Sequence, residues 1–205
     1  MKVCLDLHDW SLARNRWKLL LGLKKRYPNF KISLFAIPVD KKNPLGEDLK
    51  SSVVLEEVKN NLDWVQIVPH GLYHNGAEMN GCDYFVFKEK IMPLIKEAFE
   101  INGLPFVNGF SAPHWRWSEG VVRVLDEIDW WGAVDRRQPR MITPHKYYRY
   151  SYCLDEPFSL DEEVLKLHGH VYGTSNDVGL CYENLTRIPK SAEWCFVSDF
   201  VETKN

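Results

Sequence analysis

Two histidines stand four residues apart in Pro69-His70-Gly71-Leu72-Tyr73-His74, directly after an apolar run that reads as a buried strand. Neutral imidazoles at this spacing can point the same way from one helical turn or tight loop and donate ring nitrogens to a single metal ion. A third ligand is available at the end of another strand-like run, Val3-Cys4-Leu5-Asp6-Leu7-His8-Asp9, which closes on acid and imidazole side chains. An isolated pair at this spacing is commonly an accident of a helix face. The distribution argues otherwise here: His8, His70, His74, His168 and His170 all sit at the ends of strand-like segments, and His114 follows another, Phe106 to Phe110, by a few residues. Such a set suits a facial metal site that keeps open positions for water.

The elements that must position these groups alternate along the chain. Val3 to Leu7 reads as a strand, followed by a helix capped by Ser11 and running to about Arg26, with Leu12, Ala13, Trp17, Leu20 and Leu21 on one face and Pro28 ending it. Lys31 to Ile37 is a strand, Asp40 to Gly46 is turn-rich, residues 47 to 61 form a helix that turns Val54, Leu55 and Val58 inward, and Trp64 to Val68 is a strand. Cys82 to Ile101 is helical with a kink at Pro93; Phe106 to Phe110 is a strand, Ser118 opens a helix to Ile128, and Trp131 to Val134 is a strand. Beyond it, Met141 to Thr143, Tyr147 to Cys153, Val164 to His168 and Trp194 to Phe200 read as strands with little helix between them. The pattern predicts an α/β fold with a mostly parallel sheet of about seven strands closing into a barrel, where reactive groups collect at the carboxyl ends of strands.

With 205 residues, 45% of them hydrophobic and 13% aromatic, the chain suits a single domain over 1–205 and excludes a disordered one. A formal net charge of -2 gives no general attraction to nucleic acid or anionic membranes, and Arg136-Arg137-Gln138-Pro139-Arg140 reads as a solvated loop. No apolar stretch is long enough to span a bilayer and no signal segment opens the chain, so the expected location is cytoplasmic. Five scattered cysteines argue against a disulfide framework or a thiolate zinc knuckle and read as core residues.

These residues resemble the polysaccharide deacetylase superfamily, over roughly residues 1 to 170. The resemblance implies a distorted (β/α) barrel with one divalent ion held by one Asp and two His. Asp6-Leu7-His8-Asp9 takes the place of the family's first acidic motif, which puts Asp9 on the metal-binding Asp. His70 and His74 match the His-x-x-x-His motif and supply the other two ligands; Phe110-Ser111-Ala112-Pro113-His114-Trp115 is similar to the third motif, and Leu167-His168 to the last. Two positions depart. His8 replaces the usual catalytic-base Asp, and Ser111 replaces the Arg that pairs with it. A branch of predicted deacetylases with a His-Asp first motif looks closest.

The resemblance implies removal of an N-acetyl or similar acyl group from a sugar or oligosaccharide, with Zn2+ foremost as the ion and Co2+, Ni2+ or Fe2+ also suiting the donor set. His8 would be the base by position, oriented by Asp6, which is itself a competing base; His168 would be the acid, with His170 as alternate or supporting donor. The backbone N–H of His114, after Pro113, would stabilise the oxyanion. Trp115 and Trp117 would stack on sugar rings or serve as core aromatics. His145 and Tyr147 to Tyr152 read as structural, and the turn-rich segment Gly173 to Leu180 as a loop over the site. The replacements at His8 and Ser111 also fit a catalytically impaired, carbohydrate-binding relative. A metal phosphoesterase is disfavoured because few Lys or Arg cluster at the motifs.

Overall fold

The computed structural model describes residues 1–40, 43–44, 53–76, 78–139 and 142–204. In chain order it contains β1 (Lys2–Trp10), α1 (Trp17–Arg26), β2 (Ile32–Ala36), a short pair β3 (Val39–Asp40) and β4 (Asn43–Pro44), α2 (Val53–Lys59) and β5 (Val65–Pro69). A helical stretch follows, made of α3 (Tyr84–Val86), a π-helical turn Phe87–Ile91 and α4 (Met92–Ile101). Next come β6 (Gly109–Ser111), α5 (Glu119–Glu127), β7 (Trp131–Val134), β8 (Lys146–Arg149), β9 (Tyr152–Cys153), β10 (Val164–His170), α6 (Tyr182–Thr186), β11 (Glu193–Cys195) and β12 (Glu202–Thr203).

β1 organises the barrel. It pairs in parallel with β10 from Lys2 opposite Val164 to His8 opposite His170, and its other edge pairs with β11 near the start and β2 near the end. The sheet runs β5-β2-β1-β10-β9, while β6, β7 and β8 form a second parallel run with β12 antiparallel to β8. The two join where His70, just past β5, bridges Ser111 at the end of β6, and where the chain passes from β8 to β9 through residues 150–151 alone. The result is a parallel barrel of staves β1, β2, β5, β6, β7, β8 and β10, closed by one bridge on one side and by chain continuity on the other. It is the distorted barrel the sequence predicts.

Strand alternation divides the residues into two cores. Val3, Leu5 and Leu7 of β1 pack outward with the helical residues Trp17, Leu20, Leu23, Leu55, Val58, Val121, Val124 and Leu125. Cys4 faces inward with Phe35, Val68, Trp131, Ala133, Tyr148, Tyr150 and Val197. Above this small inner core, Asp6, Ser33, His8, His70, Ser111 and His168 are polar and buried.

Several elements differ from the sequence expectation. The first helix begins at Trp17, not after Ser11: Ser11 and Arg14 close a turn, and the Asn15 side chain accepts the Trp17 N–H at 2.9 Å. Pro93 produces a wide turn before it instead of a kink, with the Met92 N–H reaching the Phe87 carbonyl, which makes room for a ring that would otherwise crowd a carbonyl one turn back. Tyr147 to Cys153 splits into β8 and β9, and Trp194 to Phe200 is β11 followed by a 3-10 turn at Val197–Phe200. Ile142 and Thr143 are not in a strand; Met141 lies outside the described residues, as do 47–52 of the expected helix 47–61 and part of the turn-rich Asp40 to Gly46. The Ser118 helix holds, its hydroxyl accepting the Val121 N–H at 3.2 Å.

One packing contact tests the inner core. A Cβ on Gly109 would lie 2.3 Å from the buried ring of Trp131. Gly109→Ala should cost about 1–3 kcal/mol by overpacking, read as a lower urea midpoint with unchanged slope.

Candidate metal centre

Alternation along β1 sends Asp6 and His8 into the barrel and would send Asp9 out. The backbone breaks that rule. Asp9 has φ 61°, and the register with β2 shifts between Leu7 and Trp10. This irregularity re-aims the Asp9 carboxylate toward the same cavity as His8.

The His70 to His74 segment meets it there. His70 Nε2 lies 3.3 Å and His74 Nε2 2.8 Å from Asp9 Oδ1. One donor atom from each of Asp9, His70 and His74 falls within 4.8 Å of the others. The other nitrogen of His70, Nδ1, donates to the Ser111 carbonyl at 3.1 Å, which sets the tautomer and leaves Nε2 free to bind metal. Gly71, at φ 66°, is required twice over, because a Cβ there would also stand 2.4 Å from the Pro113 ring. The Glu78 carboxylate accepts the backbone N–H groups of Leu72, Tyr73 and Asn75 and so shapes the segment between the two histidines. Burial pushes that carboxyl up, against the lowering effect of those N–H groups.

Backbone strain concentrates at the site. Asp9, His74, His114 and Trp115 all have positive φ, between 53° and 61°. Such residues cost on the order of 1–3 kcal/mol each and persist only where the surroundings enforce them.

Burial lowers His70 to about 4, so its ring is neutral near pH 7. Burial opposes ionisation of Asp9, but the His70 and His74 side chains beside it outweigh that and hold the carboxyl well below the usual range. Neutral imidazoles and an ionised carboxylate are the forms that a metal site needs.

The remaining sequence-predicted residues fall into three places. His8, His114, Trp115 and His170 join the Asp9 group around a cavity of about 280 Å3, which Thr174 of the 173–180 loop also lines. Asp6 and His168 lie beneath it, 1% and 2% exposed, with His168 Nδ1 2.5 Å from Asp6 Oδ1 and the His168 ring stacked on Tyr150. Pro113 is buried, and Trp117 is a core residue against Phe110. His145 makes backbone hydrogen bonds to Asp126 and Lys204. Among Arg136 to Gln138, Arg136 is paired with Glu156; Arg140 lies outside the described residues.

Sequence reasoning missed four supporting groups. Besides Glu78 and the Ser111 carbonyl, the Asn176 side chain holds His170 Nδ1 at 2.8 Å, and Arg16 binds the buried Asp177 at 2.9 Å, anchoring the loop that carries Thr174. Glu78, Asn176 and Arg16 belong to no spacing motif, and Ser111, although inside the third motif, acts through its backbone carbonyl, which side-chain identity does not reveal. Only the richness of 173–180 in polar turn formers points at this part of the chain. His170 is held below its ordinary range by burial first and by His168 second, and His8 well below it by burial and the surrounding imidazoles.

Neither a protein-family model nor a curated protein sequence matches the chain. Solved structures do match its fold. A family 4 acetyl xylan esterase from Clostridium thermocellum in complex with a cobalt ion superposes with TM-score 0.59 at 12% identity, over 97% of this chain and 89% of that one. A chitin deacetylase from the fungal pathogen Colletotrichum lindemuthianum gives TM-score 0.59 at 12% identity, over 96% and 85%. A CE4 family pseudoenzyme from Bacillus anthracis gives 0.53 at 14%, over 97% of this chain and 64% of that one. The chain has the polysaccharide deacetylase fold. No helix among the described residues is long and apolar enough to cross a membrane.

The depressed imidazoles make stability depend on pH. Between the unfolded histidine value of about 6.5 and the folded value of about 4 for His70, the unfolded chain binds protons that the folded chain refuses, so stability falls as pH drops through that window and is level above it. Asp9 acts in the same direction, its contribution being present above the unfolded carboxylate range and lost below it. Melting of metal-stripped protein from pH 8 to 4 should show Tm falling below about pH 6.5, with a shallower fall in His70→Ala.

Proposed function

We propose that the protein is a metal-dependent hydrolase that removes an N-acetyl or similar acyl group from a carbohydrate. The observation that carries this is the convergence of Asp9, His70 and His74 at the wall of a cavity lined by further imidazoles and Trp115. Two imidazole nitrogens, one of them fixed by the Ser111 carbonyl, and one ionised carboxylate fit a divalent first-row ion, with Zn2+ the leading choice. Such an ion lowers the pKa of a water and polarises a carbonyl.

The chain's own residues do the rest. His170 faces the cavity with Nε2 4.0 Å from Asp9 Oδ2 and Nδ1 held by Asn176. Its lowered pKa leaves it neutral and able to accept the proton of the attacking water, then return it to the leaving amine. This role falls to His170 instead of His8 or His168, because His8 directs Nε2 inward at Asp6 and His168 lies below the cavity. Trp115 offers an aromatic wall of the kind that sugar rings stack against, and the backbone turn at Pro113-His114 is where the fold family places its oxyanion donor. No Lys or Arg lines the cavity among the described residues, which disfavours a phosphate ester.

A second reading, a module that binds metal and sugar without turnover, is favoured by that same inward turn of His8, the residue at the family's base position. Acetate release from a panel of N-acetylated sugars and oligosaccharides separates the two. On the first reading, His74→Ala loses both the ion and activity, while His170→Ala keeps the ion and loses about 10²- to 10⁴-fold in kcat. Stoichiometric ion with sugar binding and no acetate would leave the second.

A further inference from the structure

Beside the first metal group lies a second of the same composition, which the proposed reaction does not use. Asp6, His8 and His168 each offer a donor atom within 4.8 Å of the others, and each residue is no more than 2% exposed. His8 Nε2 is buried and makes no hydrogen bond among the described residues, although it points at Asp6 Oδ1 from 3.4 Å. That separation is poor for a hydrogen bond. It matches the spacing of two donors on one tetrahedral ion, about 3.3 Å for bonds of 2.0–2.1 Å, and it repeats the 3.3 Å between His70 Nε2 and Asp9 Oδ1 in the first group.

In both groups a carboxylate oxygen sits between two converging ring nitrogens. The second imidazole approaches at 2.8 Å in the first group and at 2.5 Å, from His168 Nδ1, in the second. The groups touch, with the rings of His8 and His70 4.7 Å apart between centres. A buried imidazole nitrogen left without a partner carries a desolvation cost that a bound cation would remove.

We propose that Asp6, His8 and His168 form a second divalent-metal site, making the centre dinuclear. The ligand class is a first-row dication of the Zn2+ or Co2+ type. An ion held there would place a further positive charge directly beside the Asp9 group. The inference rests on the hydrolase reading only in assuming that the Asp9 group is the first site.

The test is metal stoichiometry, independent of activity. Full-length protein is stripped with chelator, dialysed against Zn2+ and analysed for metal per chain. Wild type should hold about two ions, and Asp6→Asn, His168→Gln and His74→Ala about one each. A Co2+ titration of stripped wild type followed by d–d absorption should break near two equivalents, and it decides the matter if the variants fail the circular dichroism check of folding. A break at one equivalent, unchanged in Asp6→Asn, overturns the second site and leaves the first reading standing. One ion lost in Asp6→Asn but kept in His74→Ala overturns the first reading instead, and no bound ion overturns both.

Discussion

Everything at this site depends on two carboxylates from one strand being enclosed by imidazoles. Asp6 and Asp9 stand three residues apart on β1, and His8, His70, His74, His168 and His170 close around them. In a poorly solvated interior a protonated imidazole is costly, so burial keeps His8 and His70 unprotonated, while the ionised Asp9 supplies negative charge that a cation would need. β1 can impose this because it is paired along both edges, which leaves its side chains no freedom to turn away.

The supporting structure holds those groups at some cost to stability. Positive φ at Asp9, His74, His114 and Trp115 is strain that a barrel without a site would not carry. It is held by contacts beyond the three candidate ligands themselves: Glu78 on three backbone N–H groups, Pro113 against Gly71, the Ser111 carbonyl on His70 and Asn176 on His170. Arg16 on the buried Asp177 ties the 173–180 loop to the start of α1, so Thr174 reaches the cavity from an anchored segment.

A shared barrel does not by itself carry a reaction, since one fold hosts active and inactive relatives alike. Structural neighbours of this chain include esterases, deacetylases and a pseudoenzyme at 10–14% identity. Against the family pattern that its motifs resemble, this chain departs at His8 and Ser111. His8 stacks on Phe35 at 4.3 Å and faces Asp6. Position 8 lies in an imidazole-rich interior.

Much of the architecture was legible in the order of the residues. The alternation of apolar runs and amphipathic stretches specifies the parallel barrel, β7 falls on Trp131–Val134 as expected, and Ser118 caps its helix. The four-residue spacing of His70 and His74 marks a candidate metal segment because it is local. What was not legible depends on neighbours distant in sequence. A strict two-residue alternation turns Asp9 outward, and only the bulge against β2 turns it in. The register of β10 on β1 sets His170 opposite His8 at the cavity wall and His168 opposite Asp6 beneath it. Sequence by itself determined which chemistry-bearing groups end the strands, because periodicity and turn chemistry are local properties. Only the tertiary structure decided which of them face one another, because strand register and left-handed backbone are set by packing between segments far apart in the chain.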